Sequence, residues 1–557
     1  MSYRIAIAIS GAVSLGSYEA GVAFELITAI GQHNQNNRDR PDKQIHIDVL
    51  TGASAGGMTA TILAQKLLFD APALAEPFTN DLYRAWVQEV DISGLLSADL
   101  GDNPRQSLLS SNFVDTIAQK ILLQRYEDPT PTTAQHPAAA STLQLALAMS
   151  NLNGVDYAVD AFKNGSLENI TGRFIQTRFQ DAFSRTVGKD SDNKSFWTQV
   201  KQAARACGAF PTAFAPLALE RFYTEPDYFG KAVPFDKARF TYVDGGTFNN
   251  YPLGMAKKLA DTVDINPLDY EYRYYFYISP NSKDSTRTSF DADTANPLNT
   301  SLAITSAIFN QARFQDWIMT GHYNDLVAEM DVRAYALCEH LRTADAAAIA
   351  AIDQTSDMFL EKIFALESAR DQAREARILA ERYRHGTQAE ALLSGKGEAA
   401  FATWIKAIQV LESGGRLHNR DNMQIYTVTA APDELASDGL FAFVGFLEER
   451  FRAHDYNVGR RKARELLSRL QQIQREGRLE QEHHLPLVDF TFTEPLPDLP
   501  NLGGVGIREV KYQVRMELSR RIRQRLNLWL KQEKANWLVR KALLWYAEEK
   551  LKKQLYL

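Results

Sequence analysis

The N-terminal part of this 557-residue chain alternates short apolar runs with segments of helical spacing, and this order constrains the fold more than any other feature. The Ile-rich run Arg4–Ile9 is typical of a buried strand, and Ile45–Leu50 is a second such run. Apolar residues at helical spacing follow each run, over Tyr18–Ile30 and Met58–Phe69. Because strands separated by helices usually pair in parallel, the sequence predicts an α/β fold around a central sheet.

The rest of the chain changes in character along its length. Strands are predicted at Leu143–Met149, Phe240–Val243, Tyr272–Ile278 and Gln424–Ala430, and helical spacing dominates from about Thr294 to Tyr383 and again from Gly439. At about 150 residues per domain, the length predicts two to four units. We therefore expect an α/β domain at residues 1–290, a helical region at 291–420, and a mostly helical region with a basic tail at 421–557.

Composition excludes several classes of protein. The net charge of −6 is too small to indicate a nucleic-acid partner. Two cysteines, Cys207 and Cys338, cannot build a disulfide framework or a zinc site alone. The N-terminus lacks the long apolar region of a signal peptide, and the longest apolar run, Leu440–Leu447, is far too short to span a membrane. We expect a cytoplasmic protein that reaches a membrane only from its surface.

One serine, Ser54, lies among small residues in the segment TGASAGG, directly after the second predicted strand. Gly52 and Gly56 complete a Gly-x-Ser-x-Gly pattern, which between a strand and a helix forms a nucleophile elbow. The following helix would direct its N-terminal amides at the serine and favour negative charge there. An ordinary tight turn would use the same residues, so both interpretations stay open on this segment alone.

A nucleophilic serine needs a base, and two residues are candidates. Asp244 follows the strand Phe240–Val243, at a strand end where sites of open α/β sheets lie, although Asp-Gly is also a common turn. His454 would complete a Ser-Asp-His order along the chain, but it also fits the face of a charged helix. An oxyanion hole could come from Gly11, Ala12 and Val13, a loop of free amides after the first strand.

Four motifs together resemble the patatin-like lipid acyl hydrolases. They are the loop Gly11–Gly16 with YEAGV, then TGASAGG, then GAFPTAFAPL at Gly208–Leu217, and DGGTFNNYP with Gly245 and Gly246. The resemblance covers about the first 280 residues and extends to larger bacterial members with a C-terminal helical extension. It implies a three-layer α/β/α sandwich, a modified α/β-hydrolase fold, with a large helical C-terminal region.

The resemblance also implies a chemistry. Ser54 would be the nucleophile and Asp244 its base, with the amides of the Gly11–Val13 loop as the oxyanion hole and His454 left with a structural role. Neither a metal nor a cofactor is required. The substrate would be a fatty-acyl ester of a lipid or phospholipid at a membrane surface, with peripheral membrane contact and no nucleic acid. A non-lipid esterase or thioesterase, and a catalytically silent interaction protein, are the alternatives.

The glycine-rich loop departs from the family pattern of three glycines, any residue, a basic residue and glycine. Ala12 and Val13 replace two glycines but still carry amide groups, so the oxyanion hole can form if the backbone avoids positive φ there. Leu15 replaces the basic residue and removes a charge that would suit a phosphate. Recognition of a phospholipid is therefore less well supported than ester hydrolysis.

The C-terminal half contains three further features. We expect Phe441, Phe443 and Phe446 to belong to the hydrophobic core rather than to an acyl-chain pocket. The pair His483–His484 could suggest a metal site, but no carboxylates lie at a spacing that supports one. In the basic tail, the apolar residues Leu518, Ile522, Leu526, Trp529 and Leu530 share one helical face. That face either packs on the protein, which we favour, or lies on anionic lipid.

Overall fold

The structure is a computed structural model, and the residues that it describes form two compact units. The larger unit comprises residues 2–256, 275–316 and 425–557, and the smaller one residues 257–274 and 317–424. The described residues are 2–97, 100–103, 105–128, 130–160, 173–229, 231, 233–248, 252–264, 272–280, 300, 307, 329–363, 369–384, 386–414, 423–437, 443–478, 484–492, 494–503, 507–534 and 536–556. The division at residues 290 and 420 stays a prediction.

A mixed sheet of eight strands forms the centre of the fold. The strands are β1 Tyr3–Ile9, β2 Ile45–Gly52, β3 Ala139–Asp160, β4 Arg173–Val187, β5 Leu217–Phe222, β6 Lys237–Asp244, β7 Arg273–Ile278 and β8 Gln424–Val428. Their order across the sheet is β5-β6-β3-β2-β1-β7-β8, and β4 pairs with β3 outside this path. β1, β2 and β3 are parallel neighbours, as the alternation of strands and helices predicts.

The long strand β3 sets the register on which the site depends. One edge of β3 pairs with β4, through Leu147 with Phe183 and Met149 with Asp181. On its other edge, Leu147 pairs with Gly52 at the end of β2, and two residues later Met149 pairs with Asp244 at the end of β6. Thus β2 and β6 follow one another along one edge of β3, and their ends meet.

Helices surround the sheet and make up most of the C-terminal part. The longer ones are α1 Gly16–Asn36, α2 Ala55–Phe69, α3 Ser111–Ala118, α4 Lys194–Cys207, α5 Pro252–Val263, α6 Ala346–Ile363, α7 Ala369–Arg384, α8 Thr387–Gly414, α9 Glu449–Arg475, α10 Tyr512–Gln532 and α11 Trp537–Gln554. The predicted α/β fold with a large helical C-terminal region is therefore confirmed.

The helix α1 is buried against the sheet on one side and against α9 on the other. The two helices approach so closely that a Cβ atom on Gly21 would lie 2.0 Å from the carbonyl oxygen of Tyr456. A Cβ atom on Gly459 would lie 2.2 Å from the carbonyl oxygen of Tyr18. A buried ion pair, Arg460 Nε to Glu25 Oε1 at 2.7 Å, joins the helices at the same crossing. α9 is thus part of the core around β1.

Among the described residues, one helix is long and apolar enough to cross a membrane by length and composition alone, the segment Val13–Asn36. In the structure, 89% of its most apolar stretch is buried inside the protein. The sequence predicts a helix at Tyr18–Ile30, but a count of uninterrupted apolar residues does not identify it as long and apolar enough to cross a membrane. Its composition is accounted for by its packing against the sheet and α9.

The smaller unit has a hydrophobic core of its own, built from α6, α7, α8 and helical residues 329–343. Trp404 lies at its centre and donates a hydrogen bond from Nε1 to the carbonyl oxygen of Ala334 at 2.8 Å. Cys338 is buried in this core and Cys207 in the larger unit, and both thiols are free.

Two strands were missed by the sequence analysis, β4 and β5. In β4, polar residues alternate with apolar ones and many of its side chains are exposed, so no buried apolar run marks it. β5 alternates between exposed and partly buried residues over only six positions. Both are antiparallel strands that depend on a partner, β3 for β4 and β6 for β5.

Candidate active site

Ser54 lies in the sharp turn between β2 and α2, with φ +53° and ψ −126°, a conformation that L-residues rarely adopt. The neighbouring glycines allow this turn to fit. A Cβ atom on Gly52 would lie 2.3 Å from the carbonyl oxygen of Gly56, and one on Gly56 would lie 2.4 Å from the carbonyl oxygen of Ile9. The turn has the strained backbone of a nucleophile elbow.

Asp244 accepts a hydrogen bond directly from the Ser54 hydroxyl, with 2.6 Å between Oγ and Oδ2. Its second oxygen, Oδ1, accepts from the amide of Gly246 at 2.7 Å. The amide of Asp244 donates to the carbonyl oxygen of Ala209 at 2.9 Å, so the motif GAFP holds the aspartate in place. A side chain on Gly245 would lie 2.2 Å from the carbonyl oxygen of Ala148, which explains the glycine there.

Burial controls the acidity of this carboxyl group. Asp244 is completely buried, and desolvation raises its pKa from 3.8 to about 7. The hydrogen bonds from Ser54 and Gly246 oppose the rise, since they stabilise the ionised form. The carboxylate is therefore far more basic than an exposed aspartate and has Ser54 as its neighbour.

His454 has a different environment. It lies on α9, where Nε2 is 3.0 Å from the carbonyl oxygen of Glu434. Burial lowers its pKa, which favours the neutral ring. Ser54 donates its hydrogen bond directly to Asp244, and His454 does not lie between the two side chains.

The loop Gly11–Gly16 lies beside Ser54. A Cβ atom on Gly11 would lie 2.9 Å from the Ser54 Cβ, so only glycine permits this approach. Ala12 has φ −146°, but Val13 has φ +53°, in the left-handed region that favours glycine. The condition that the backbone avoids positive φ is therefore not met at Val13, a β-branched residue for which this conformation is strained. A Cβ atom on Gly16 would lie 2.6 Å from the Trp86 ring.

A family model described as patatin-like phospholipase matches residues 7–257. The chain carries a patatin-like domain. An uncharacterized protein, y4iI of Sinorhizobium fredii (strain NBRC 101917 / NGR234), is 28% identical over 319 residues, covering 45% of this chain and 44% of that protein. The chain therefore spans less than half the length of this curated relative.

The patatin-like domain has an apolar cavity beside the serine, with a volume of about 110 Å³. Ser54, Ala55 and Val13 contribute to its wall on the side of the elbow. Apolar side chains from several elements form the rest, among them Ile62, Trp86, Val90, Leu95, Ile117, Ile121, Phe210 and Phe446. An apolar chain attached to the acyl carbonyl would find a matching surface here.

Part of this wall comes from outside the residues that match the family model. Phe446, in the 3₁₀ turn Val444–Leu447, lines the cavity and packs on Phe443, which in turn contacts Phe210. Both phenylalanines belong to one hydrophobic cluster, as expected, and Phe446 in addition faces the cavity. Phe441 lies outside the described residues.

A buried arginine of α9 fixes this C-terminal wall to the patatin-like domain. Arg452 donates to the carbonyl oxygen of Val87 at 2.8 and 3.0 Å and to that of Gly445 at 2.8 Å. Burial lowers its pKa to about 10. Val87 belongs to the π-helical turn Arg84–Glu89, which also contains the cavity residue Trp86.

Position 15, where the family pattern has a basic residue, holds an apolar side chain without contact with solvent. Leu15 is completely buried. Among the described residues that line the cavity, the charged one is Arg205, which the sequence analysis did not single out. Its guanidinium pairs with Asp115 at 3.0 Å, and burial lowers its pKa. The charged side chain of the cavity lining thus shares the Asp115 carboxylate with Lys201, which is 2.7 Å from the same oxygen.

Metal ligands are not gathered anywhere in the described part of the chain, where no three His, Cys, Asp or Glu side chains are placed to hold an ion. Of the histidine pair, His484 lies beside the hydroxyl of Tyr426, at 3.4 Å, and His483 lies outside the described residues.

Proposed function

We propose that this chain is a serine hydrolase of fatty-acyl lipid esters, with Ser54 as nucleophile and Asp244 as base. The observation that carries the proposal is the direct 2.6 Å hydrogen bond between the two side chains at the wall of an apolar cavity. The patatin-like domain supports the choice of a lipid ester, and the high pKa of Asp244 suits a base at neutral pH.

The proposed reaction has two steps. Asp244 takes the hydroxyl proton of Ser54 while Oγ attacks the ester carbonyl carbon, and the protonated Asp244 then gives this proton to the leaving alcohol as the ester C–O bond breaks. In the second step Asp244 takes a proton from water, the water oxygen attacks the acyl-enzyme, and the proton returns to Ser54 as the fatty acid leaves. The carboxyl group ends each cycle ionised.

The charge that develops on the carbonyl oxygen needs donors. We assign them to the backbone amides of the Gly11–Val13 loop, because this loop contacts Ser54 and precedes a helix. The N-terminus of α2 adds a favourable dipole at Ser54. The strained φ of Ser54 and Val13 keeps both segments turned toward one point.

Fluorophosphonate labelling tests the proposal. The probe is expected to label the wild-type protein, and Ser54→Ala to lose both labelling and hydrolysis. Asp244→Asn keeps the shape of the side chain but removes the base, so hydrolysis is expected to fall by at least about a hundredfold. His454→Ala is the matched control and is expected to keep its activity. Full activity in Asp244→Asn would exclude the dyad.

A second candidate, an esterase or thioesterase without phosphate recognition, is favoured by one observation. Leu15 is buried, and the cavity cation Arg205 is paired with Asp115. Rates on nitrophenyl esters of increasing chain length, compared with phosphatidylcholine vesicles, separate the two candidates. Preference for long chains and hydrolysis of the vesicles support the lipid enzyme, and preference for short esters alone supports the second candidate.

A further inference from the structure

The last helix of the chain, α11, packs on the protein at its C-terminal end and is exposed to solvent over most of its length. Leu551 and Leu555 pack into the hydrophobic cluster that contains Leu518 of α10. The preceding turns carry large apolar side chains that are 43–65% exposed and lie around most of the helix, namely Trp537, Leu538, Val539, Leu543, Trp545 and Tyr546. Isolated exposed apolar residues are ordinary, but six within ten positions form a patch that marks an interaction surface.

Basic side chains surround this patch. Residues 531–556 contain seven Lys or Arg and three Asp or Glu, although the whole chain has a net charge of −6. Lys541 lies over the Trp537 ring at 5.3 Å, and Lys550 lies over the Tyr546 ring at 5.5 Å. All three acids are engaged: Glu533 pairs with Arg105, and Glu548 pairs with Arg523. Lys552 pairs with both Glu548 and Glu549, which leaves the other lysines of the segment to carry the positive charge. The surface is both apolar and positive.

One interpretation of the sequence placed a lipid-facing surface on α10, whereas the structure exposes large apolar side chains on α11. On α10, Leu518 and Leu530 are buried, and Ile522 packs against the same cluster. Even Arg525 is buried, with Nη1 3.3 Å from the carbonyl oxygen of Ser97. Most of the apolar face that the sequence indicated is therefore packed on the protein, as favoured, with Trp529 38% exposed, whereas Trp537 and Trp545 of α11 are 59% and 65% exposed.

We propose that the exposed face of α11 docks the protein on an anionic lipid surface. Tryptophan and tyrosine suit the boundary between acyl chains and head groups, and lysine can place its stem in the apolar layer and its ammonium group among phosphates. Positive charge attracts anionic lipid over the last few ångströms. This inference deepens the proposed function, since the substrate would be reached in such a surface, but the docking needs no catalytic residue.

Charge argues against a second copy of this chain as the occupant. In a two-fold symmetric dimer through this surface, the same patch would be present on both sides of the interface. Each copy would then bring the excess of seven Lys or Arg over three Asp or Glu in residues 531–556 against an equal excess on the other copy. An anionic bilayer supplies the complementary charge that another α11 lacks.

The docking surface is attached to the wall of the cavity. On α10, Arg521 donates to the carbonyl oxygen of Ser93 at 2.7 Å, and Arg525 contacts the same segment at Ser97. Leu95, between these two contacts, lines the cavity beside Ser54. The hairpin α10–α11 therefore rests on the part of the chain that encloses the acyl-binding space.

Vesicle sedimentation tests the docking, with Ser54→Ala as the parent protein so that lipid is not consumed. The vesicles are phosphatidylcholine mixed with phosphatidylglycerol, compared with pure phosphatidylcholine, each at low and at high salt. The parent is expected to bind the mixed vesicles, more weakly at high salt. The double variant Trp537→Ser/Trp545→Ser is expected to bind at least about tenfold more weakly, and Lys534→Gln/Lys541→Gln to lose the salt dependence.

The matched control is Phe229→Ser, which removes an aromatic side chain that is 68% exposed outside the hairpin. It is expected to bind like the parent. The proposal is overturned if the double tryptophan variant binds the mixed vesicles as tightly as the parent, or if the parent does not bind them. A parent dimer that dissociates on Trp537→Ser, without vesicle binding, overturns it in favour of self-association.

Hydrolysis of a water-soluble nitrophenyl ester separates this proposal from the proposed function. With Ser54 intact, the double tryptophan variant is expected to keep its full rate on that ester. If the wild type hydrolyses no ester but Ser54→Ala binds vesicles, the proposed function fails while the docking surface stands. If the wild type hydrolyses the ester but Ser54→Ala does not bind vesicles, the docking proposal fails while the proposed function stands.

Discussion

At the residue scale, the site depends on a buried carboxyl group that has no basic side chain as a hydrogen-bond partner among the residues that the structure describes. Desolvation is the main cause of the high pKa of Asp244, and its hydrogen bonds come from a hydroxyl and a backbone amide. A nearby cation would lower this pKa and weaken the base. In the proposed dyad, burial would therefore bring Asp244 to the basicity at which a triad uses a histidine.

The pH dependence of the reaction follows from this pKa. Asp244 must be ionised to accept the proton of Ser54, so the rate is expected to rise with pH, pass through a midpoint near 7, and level off above it. The measurement is kcat/KM on a water-soluble ester across neutral pH, with the thermal unfolding temperature recorded at each point. A midpoint near the ordinary aspartate pKa of about 4 would contradict the assignment.

Val13 allows the strain of the loop to be measured. Its φ of +53° disfavours any residue with a Cβ atom, so Val13→Gly is expected to be more stable than Val13→Ala by about 1 kcal/mol. Val13→Ala keeps the strained φ and, like Val13→Gly, lacks the two methyl groups of valine. The difference in stability between the two variants therefore does not contain the packing of those methyl groups. Chemical unfolding of the two variants gives the difference, and equal stability would show that the loop relaxes.

At the element scale, the sequence was a good guide to buried strands and a poor guide to exposed ones. β1, β2 and β7 are continuous apolar runs and were predicted within one or two residues at most ends. β4 and β5 show alternation without a buried run, so only their pairing with β3 and β6 defines them. Local patterns cannot show a strand that is specified by its neighbour.

The crossing of α1 and α9 can be tested with a single methyl group. Gly459→Ala would place a Cβ atom 2.2 Å from the carbonyl oxygen of Tyr18, so the helices must separate. We expect a loss of more than about 2 kcal/mol and a lower yield of active protein. Gly395→Ala is the control, because its Cβ would meet nothing within 4 Å. Equal unfolding temperatures would show that the crossing is looser than described.

At the scale of the whole molecule, the sequence located the proposed nucleophile and base but not the complete cavity. Motifs identify Ser54 and Asp244 because the elbow and the DGG turn need glycine at fixed positions. Phe446 and Arg452 could not be assigned in this way, since their partners lie hundreds of residues away in the chain. From the sequence alone, an aromatic residue in the helical C-terminal region is predicted to lie in the hydrophobic core. Only the fold shows that Phe446 lines the cavity beside Ser54.

This arrangement predicts that the residues matching the family model are insufficient alone. A fragment ending at residue 257 lacks β7, which neighbours β1 in the sheet, and α9, which packs on α1. We expect the fragment to be insoluble or to lack a cooperative thermal transition, measured by circular dichroism and calorimetry. The full chain with Ser54→Ala is the control. A fragment with normal unfolding and full fluorophosphonate labelling would contradict the prediction.

The meeting of β2 and β6 on one edge of β3 also bears on how such a protein can diversify. Ser54 and Asp244 are 190 positions apart in the chain, yet their spacing is set by two neighbouring rungs of one strand, at Leu147 and Met149. Insertions in segments that do not pair with this part of β3 can therefore arise without moving the proposed nucleophile and base relative to one another. In the proposed enzyme, β3 would keep the reacting pair constant while the surroundings of the pocket change between relatives.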